Sequence, residues 1–268
     1  MKKLSIIGGG NMGRAILGGV IKSGLISADH IMVSDPYQPS LDLVKKDYGV
    51  NTSSDSKEAV SFADIVIFAV KPNIIGKVFE DVVSSFSDDK IAVSIAAAIS
   101  IEFMQQHLGD DKKIVRVMPN TPALVGEAMS AISPNKNLNE DELDYIMNIF
   151  NSFGKAEIVS ESLMDAVVGV SGSSPAYVFM FIEAMADAAV LDGMPRAQAY
   201  KFAAQAVLGS AKMVLETGKH PGELKDMVCS PGGTTIVAVE TLEKEGLRNA
   251  VIQAQKNCTQ KSRDMSKN

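Results

Sequence analysis

The sequence predicts a doubly wound α/β domain followed by an all-helical region, and three observations support this prediction. Short runs rich in isoleucine and valine alternate with helical stretches in the first half of the chain. These runs show almost no alternation of polar and apolar residues, which is typical of strands buried on both faces of a parallel sheet. From about Glu161 onwards we find no convincing strand, and helix-forming residue types dominate. The predicted domains are therefore residues 1–160 and 161–268.

Composition excludes several classes of protein. The chain has 268 residues, of which 46% are hydrophobic and 22% charged, and this balance excludes a disordered chain. Its net charge of −6 argues against nucleic-acid binding, which needs a basic surface. Its apolar runs are shorter than the roughly 20 residues of a membrane-spanning helix. No metal-ligand spacing is recognisable among its two cysteines and three histidines. We expect a cytoplasmic protein that binds no membrane and no metal.

The predicted strands are residues 4–7, 31–34, 65–70, 91–95 and 114–117. The first leads into Gly8-Gly9-Gly10-Asn11-Met12-Gly13, which fits the pattern G-x-G-x-x-G between a strand and a helix. In this context Gly8 permits a tight turn, Gly10 lets the backbone approach a pyrophosphate, and Gly13 lets the helix pack closely on the strand. A glycine-rich turn without a ligand is the alternative. The predicted dinucleotide-binding residues here are Gly8, Gly10, Asn11, Met12 and Gly13.

The second predicted strand ends in Ser34 and Asp35. An acidic residue about 20 positions after the glycines commonly accepts the ribose hydroxyls of NAD. Asp35 could equally begin a turn with Pro36, because Asp-Pro favours turns. No lysine or arginine follows until Lys45, so a basic partner for the 2′-phosphate of NADP is missing nearby. The choice between NADPH and NADH therefore stays open.

Two further segments follow predicted strands, where ligands of open α/β sheets bind. Ala69, Val70, Lys71 and Pro72 end the run at 65–70, and Asn120 lies in a proline-stiffened loop after the run at 114–117. We predict that these residues face the cofactor. The alternatives are a solvated lysine before a helix that begins with proline, and a linker between the two domains.

The helical half contains a segment, residues 173–190, that is apolar almost all round. Such a helix must be buried, either in its own domain or against another subunit. A domain of about 108 residues is too small to bury it easily, so we expect self-association. The polar tail after residue 257 is expected to fray.

Glycines and hydroxyl groups precede a predicted helix in Cys229-Ser230-Pro231-Gly232-Gly233-Thr234-Thr235. Backbone N–H groups at such a helix start can hold an anion, and a small carboxylate is favoured because no basic residue adjoins the loop. A simple helix cap formed by Ser230 or Thr234 is the alternative. No nucleophile motif appears in the chain, which fits hydride transfer with a cofactor that carries the chemistry.

Five motifs in this order resemble those of the pyrroline-5-carboxylate reductase family over essentially the whole chain. They are the glycine loop, the segment Ala69-Val70-Lys71-Pro72, the segment Met118-Pro119-Asn120-Thr121-Pro122, the segment starting Ser171-Gly172-Ser173-Ser174-Pro175, and the segment Ser230-Pro231-Gly232-Gly233-Thr234-Thr235-Ile236. The last is the family's most specific signature.

The resemblance implies a Rossmann-type domain followed by an all-α oligomerisation domain whose dimers assemble further, often into decamers. It implies reduction of 1-pyrroline-5-carboxylate to L-proline with NADPH or NADH, the last step of proline biosynthesis. Many family members prefer NADPH, whereas Asp35 favours NADH. The resemblance also implies that Thr235 is the catalytic residue that hydrogen-bonds the pyrroline nitrogen. The implied substrate-binding residues are Ser230, Gly232, Gly233, Thr234 and Thr235.

Two other functions compete with this one. A hydroxyacid or other imine reductase of similar plan is the first, but such hydroxyacid enzymes usually need a lysine acid, and Lys201 lies in no recognisable motif. A dinucleotide-sensing protein without catalysis is the second, and the intact glycine and hydroxyl loops argue against it.

Overall fold

A computed structural model describes residues 2–266, and the chain divides into two compact units. The first unit runs to Ser173 and resumes at Cys258, and the second is Ser174–Asn257. The segment that follows residue 160 still belongs to the first unit, where Met164 is buried. The boundary between the two compact units therefore lies after Ser173, later than the predicted boundary at residue 160. The functions given to the two predicted domains stay a prediction.

An eight-stranded sheet forms the centre of the first unit. Its strands, in chain order, are β1 Leu4–Ile7, β2 Ile31–Ser34, β3 Asn51–Ser53, β4 Ile65–Phe68, β5 Ile91–Ser94, β6 Lys113–Met118, β7 Ala128–Pro134 and β8 Gly154–Ile158. They lie in the order β3-β2-β1-β4-β5-β6-β7-β8, and every neighbouring pair is parallel except β6 and β7. The strand order changes direction between β1 and β4. A doubly wound sheet binds its ligands at the carboxyl ends of the strands at this point.

Helices cover both faces of this sheet. The α-helices of the described residues are α1 Asn11–Ser23, α2 Gln38–Tyr48, α3 Ser56–Phe62, α4 Pro72–Val82, α5 Ile101–Leu108, α6 Glu140–Asn151, α7 Met164–Val167, α8 Ser174–Leu191, α9 Arg196–Thr217, α10 Pro221–Val228, α11 Thr234–Lys244 and α12 Leu247–Met265. Residues of α1, α2 and α6 pack in one apolar cluster, and residues of α3, α4 and α5 pack in another. The fully buried strands β1, β2, β4 and β5 lie between these clusters, which explains their continuous apolar sequences.

Three strands were not predicted, and the sheet is not wholly parallel. β3 is a short polar edge strand, and β8 is a partly exposed edge strand, so neither carries the apolar signal of a buried strand. β7 runs antiparallel to β6, which needs only a short connection instead of a crossover helix. The five predicted strands are present, with ends that differ by at most two residues.

The second unit has no strand among its described residues and consists of α8 to α11 with the first part of α12. The predicted apolar helix is α8, which packs against α9. Only Ala186 of α8 is buried in the chain, while Phe179, Met180 and Phe181 are exposed. Burial inside its own domain, one of the two predicted alternatives, is therefore wrong for most of this helix.

The tail after residue 257 is helical through Met265 and is not frayed as predicted. Thr259 and Ser262 are buried in the first unit. The hydroxyl of Ser262 donates to Asp165 Oδ1 at 2.6 Å, and the thiol of Cys258 donates to Ser173 Oγ at 3.2 Å. Polar pairs therefore hold this segment, and a search for apolar residues could not reveal them.

Candidate active site

A cleft of about 770 Å³ lies where β1, β2 and β4 end. Seven of the predicted cofactor residues line it, namely Gly8, Gly10, Ser34, Asp35, Ala69, Val70 and Lys71. Asn11, Met12 and Gly13 form the first turn of α1 directly after Gly10. Pro72 begins α4 and lines a neighbouring groove of about 630 Å³. The structure thus brings most of the predicted cofactor residues to one place.

The three motif glycines are constrained in different ways. Gly8 has a φ of +111°, and a Cβ there would lie 2.6 Å from the carbonyl oxygen of Ala69. A Cβ on Gly13 would lie 2.1 Å from the carbonyl oxygen of Gly8, so α1 packs directly on the turn. Gly10 is exposed, and a Cβ there would meet nothing within 4 Å. Gly8 and Gly13 are therefore needed for backbone packing, while Gly10 borders open space.

Both carboxylate oxygens of Asp35 accept hydrogen bonds from the backbone. Its Oδ2 accepts a hydrogen bond from the N–H of Gly9 at 2.8 Å, and its Oδ1 accepts one from the N–H of Tyr37 at 2.9 Å. The second bond closes the turn that the Asp-Pro sequence favours. The predicted contact of Asp35 with a ribose stays a prediction.

Residues from the connection between β3 and α3 and from the first turn of α3 also line the cleft, and they were not predicted from the sequence. They are Ser54, Asp55, Ser56 and Lys57. The side chain of Asp55 accepts a hydrogen bond from the N–H of Lys57 at 2.8 Å and caps α3. The hydroxyls of Ser34 and Ser56 lie 3.3 Å apart. A basic residue, Lys57, thus lines the same cleft as Ser34, although the sequence after Asp35 offers none until Lys45. The serine- and aspartate-rich start of α3 was the only available signal.

The predicted cofactor residue Asn120 is buried, and its amide is used within the first unit. Its Nδ2 donates to the carbonyl oxygen of Ser171 at 3.0 Å, and its Oδ1 accepts from the N–H of Met129 at 2.9 Å. These two bonds fix the loop after β6. The predicted contact of Asn120 with the cofactor stays a prediction.

The predicted substrate loop connects α10 and α11 in the second unit. Gly232 has a φ of +68°, which favours glycine, and the N–H of Gly233 donates to the carbonyl oxygen of Ser230 at 3.0 Å. α11 begins after Gly233 without a hydrogen bond from any capping side chain. The simple cap formed by Ser230 or Thr234 is therefore not what this turn provides. Ser230, Gly232 and Thr234 are exposed, and Thr235 is half-buried.

Metal binding and membrane crossing are two further properties of the described residues. No group of three or more histidine, cysteine, aspartate or glutamate residues among residues 2–266 could hold a metal ion. The helical run 161–191 is long and apolar enough, by length and composition, to cross a membrane. This run combines α7, α8 and the turns around them, and its polar interruptions hid its length from the sequence argument.

Comparisons with known proteins agree along the whole chain. A family model described as pyrroline-5-carboxylate reductase dimerisation matches residues 161–265, and one described as NADP oxidoreductase coenzyme F420-dependent matches residues 3–98. The pyrroline-5-carboxylate reductase of Escherichia coli K12 is 55% identical over 99% of both chains. The structure of pyrroline carboxylate reductase from Plasmodium falciparum with NADP bound has a TM-score of 0.90, with 35% identity over 99% of this chain and 98% of that one. The pyrroline-5-carboxylate reductase structure from Coxiella burnetii has a TM-score of 0.93, with 33% identity over 100% and 99%.

Proposed function

The chain belongs to the pyrroline-5-carboxylate reductase family, and on that premise we propose which of its residues carry out the NAD(P)H-dependent reduction of 1-pyrroline-5-carboxylate to L-proline. This reaction is the last step of proline biosynthesis. The substrate is a cyclic imine that bears a carboxylate. Its imine carbon gains a hydride and its nitrogen gains a proton, so the protein must bind an anion, orient a C=N bond and hold a dinucleotide.

The cofactor belongs in the cleft that β1, β2 and β4 surround. The exposed Gly10, with open space where a side chain would stand, and the uncapped first turn of α1 at Asn11, Met12 and Gly13 fit a pyrophosphate. When bound, NAD(P)H supplies the hydride. We assign Ser34 and Asp35 to the adenosine side of this site. We assign Ala69, Val70, Lys71, Pro72 and Asn120 to its nicotinamide side.

Lys57 extends this assignment to the choice of cofactor. A 2′-phosphate carries two negative charges near neutral pH, and a lysine with neighbouring hydroxyls is suited to bind it. Lys57 and Ser56 line the same cleft as Ser34. These residues support binding of NADPH as well as NADH, although Asp35 in the sequence favours NADH. A Lys57→Gln variant should lower kcat/KM for NADPH about tenfold more than for NADH.

The turn at residues 230–235 belongs to the substrate, and the uncapped start of α11 is the observation that carries this assignment. We assign the backbone N–H groups of Gly232 and Thr234 and the hydroxyl of Ser230 to the substrate carboxylate. Gly233 belongs to the same pocket, although its N–H donates to the carbonyl oxygen of Ser230 within the turn. Thr235 then hydrogen-bonds the ring nitrogen. A hydroxyl is a weak acid, so Thr235 orients the imine or relays a proton from water and is not the proton's source.

Replacing Thr235 by alanine tests this assignment. Loss of one hydrogen bond to a charged iminium should lower kcat/KM for pyrroline-5-carboxylate by about 10- to 100-fold, while the Kd for NADPH stays unchanged. The matched control is Thr241→Ala on the same helix, where the hydroxyl donates only to the carbonyl oxygen of Val237. An unchanged kcat/KM in Thr235→Ala would remove this residue from the mechanism.

The chain self-associates, and we assign residues 161–268 to this role together with substrate binding. The exposed apolar side chains of α8 need a cover, and the dimerisation model that matches this region favours a second copy of the chain over a membrane. We further propose that dimers assemble into decamers and that the enzyme is cytoplasmic. Size-exclusion chromatography with light scattering tests the assembly, and a monomeric mass at micromolar concentration would contradict it.

A further inference from the structure

Gly9, the motif residue between Gly8 and Gly10, is buried, and side chains from outside the glycine loop satisfy both of its backbone polar groups. Its N–H donates to Asp35 Oδ2 at 2.8 Å, and its carbonyl oxygen accepts from Ser40 Oγ at 2.8 Å. Asp35 directly follows β2, and Ser40 lies in the first turn of α2. We call this pair of bonds the Gly9 clamp.

The clamp fixes two peptide planes. In a planar trans peptide the carbonyl and the following N–H point in opposite directions. Because Ser40 holds the carbonyl of Gly9, it also fixes the direction of the N–H of Gly10. Because Asp35 holds the N–H of Gly9, it also fixes the carbonyl of Gly8, on which α1 packs at Gly13. Both planes of the turn proposed to meet the pyrophosphate are therefore set by residues of the next βα unit.

We propose that Asp35 and Ser40 are positioning residues for the glycine loop, and that Asp35 does not decide between NADPH and NADH. This inference rests on the proposed cofactor site. Each carboxylate oxygen of Asp35 already accepts a backbone N–H, from Gly9 and from Tyr37. The pyrophosphate is common to both dinucleotides, so loss of the clamp weakens both equally. Discrimination falls instead to Lys57, which lines the cleft from the first turn of α3.

The test compares three variants in steady-state kinetics and in cofactor binding followed by NAD(P)H fluorescence. Ser40→Ala removes one neutral hydrogen bond and should raise KM and Kd for both cofactors about three- to tenfold. Asp35→Asn removes the charged acceptor and should raise both by about tenfold or more. In each variant the ratio of the KM for NADPH to the KM for NADH should stay within about threefold of its value in the unchanged enzyme. The kcat at saturating cofactor should also stay unchanged.

Controls separate the clamp from a general loss of structure. Asp42→Asn removes a negative charge from the exposed side of α2, where Asp42 accepts a hydrogen bond from Gln38. This control should leave the KM and Kd for both cofactors unchanged. Loss of one hydrogen bond in Asp35→Asn or Ser40→Ala should lower the melting temperature by no more than about 10 °C and leave kcat unchanged, whereas a general loss of structure would lower kcat as well.

Gly9→Ala gives an independent check, because its Cβ would lie 2.5 Å from Ser40 Oγ and force that hydroxyl to leave. The double variant Gly9→Ala with Ser40→Ala should then bind the cofactors as tightly as the single variant of lower affinity. A double variant whose two losses multiply would contradict the clamp.

A selective outcome would overturn the proposal. If Asp35→Asn lowers the affinity for NADH tenfold more than for NADPH, Asp35 binds the ribose and selects the cofactor. The Lys57→Gln variant tests the proposed phosphate site separately. If that variant leaves the cofactor ratio unchanged while the two clamp variants weaken both cofactors equally, the phosphate assignment fails and the clamp stands.

Discussion

Gly10 and Gly13 should respond differently when each is replaced by alanine. A Cβ on Gly13 would lie 2.1 Å from the carbonyl oxygen of Gly8, whereas real Cβ contacts essentially never fall below 3.0 Å. α1 must therefore move by about 1 Å away from the turn. Overpacking of this kind costs about 1–3 kcal/mol, which lowers the melting temperature by roughly 3–10 °C in a chain of this size.

Alanine at Gly10 should leave the cofactor-free protein nearly as stable as before. Gly10 has a φ of −71°, which alanine adopts, and its Cβ would meet nothing within 4 Å. Loss of glycine at the N-cap and the reduced entropy of the unfolded chain are opposing effects of less than about 1 kcal/mol each. The new methyl group, however, stands in the space assigned to the pyrophosphate. A clash of about 1–3 kcal/mol in the complex raises the Kd for NADPH about 5- to 150-fold.

Thermal unfolding followed by circular dichroism, without cofactor, and NADPH binding followed by fluorescence together measure both effects. The expected pattern is a low melting temperature for Gly13→Ala, and an unchanged melting temperature with weak binding for Gly10→Ala. Full NADPH affinity in Gly10→Ala would refute the position given to the pyrophosphate. A melting temperature equal to that of the unchanged enzyme in Gly13→Ala would refute the tight packing of α1 on the turn.

Three further predictions concern stability and assembly. Ala98 has a φ of 64°, so Ala98→Gly should stabilise the enzyme by about 0.5–1 kcal/mol in thermal unfolding, while Ala97→Gly, where φ is not positive, should destabilise it by a similar amount. Burial raises the pKa of Glu142, but hydrogen bonds, chiefly from the Lys113 ammonium at 2.6 Å, outweigh it and hold the pKa below its ordinary value. The pair therefore stabilises the fold above the ordinary pKa of glutamate and loses this effect as pH falls through the lowered value. In Glu142→Gln the free energy of unfolding, measured with urea, should therefore depend less on pH below about pH 5. An equally strong pH dependence in the variant would contradict this. Phe179→Asp places a carboxylate on the exposed apolar face of α8 and should shift the mass in light scattering towards the monomer; an unchanged mass would exclude this face from the interface.

The strands that the sequence predicts are those whose buried residues form a continuous run. β1, β2, β4 and β5 are wholly buried, and β6 is buried at residues 114–117, so their apolar runs are continuous. β3 has the sequence Asn-Thr-Ser at the edge of the sheet, and its backbone pairing with β2 holds it there. No side-chain pattern records backbone pairing, which is why this strand was missed. Because β3 was not predicted, Ser56 and Lys57 at the start of the following helix α3 were not recognised either.

The helical region was predictable in kind but not in its contacts. The apolar circumference of α8 predicts burial, and the structure shows that the chain itself does not provide it. A sequence does not say which surface covers such a helix, because a second subunit and a domain core demand the same residue types. The end of α12 shows the opposite case, since Ser262 is held by a single polar bond to Asp165 that no periodicity reveals.

Asp35 shows the limit of spacing as evidence for chemistry. Its distance from the glycines predicts only that a carboxylate stands at the end of β2, and both readings of that carboxylate share this position. What distinguishes them is the direction of its two oxygens, which depends on where the N–H groups of Gly9 and Tyr37 lie. Ser40 strengthens the structural interpretation, because this second side chain, from the first turn of α2, holds the other polar group of Gly9. Two side chains that converge on one buried glycine form a unit that holds the loop, and a unit of that kind acts on whatever the loop binds.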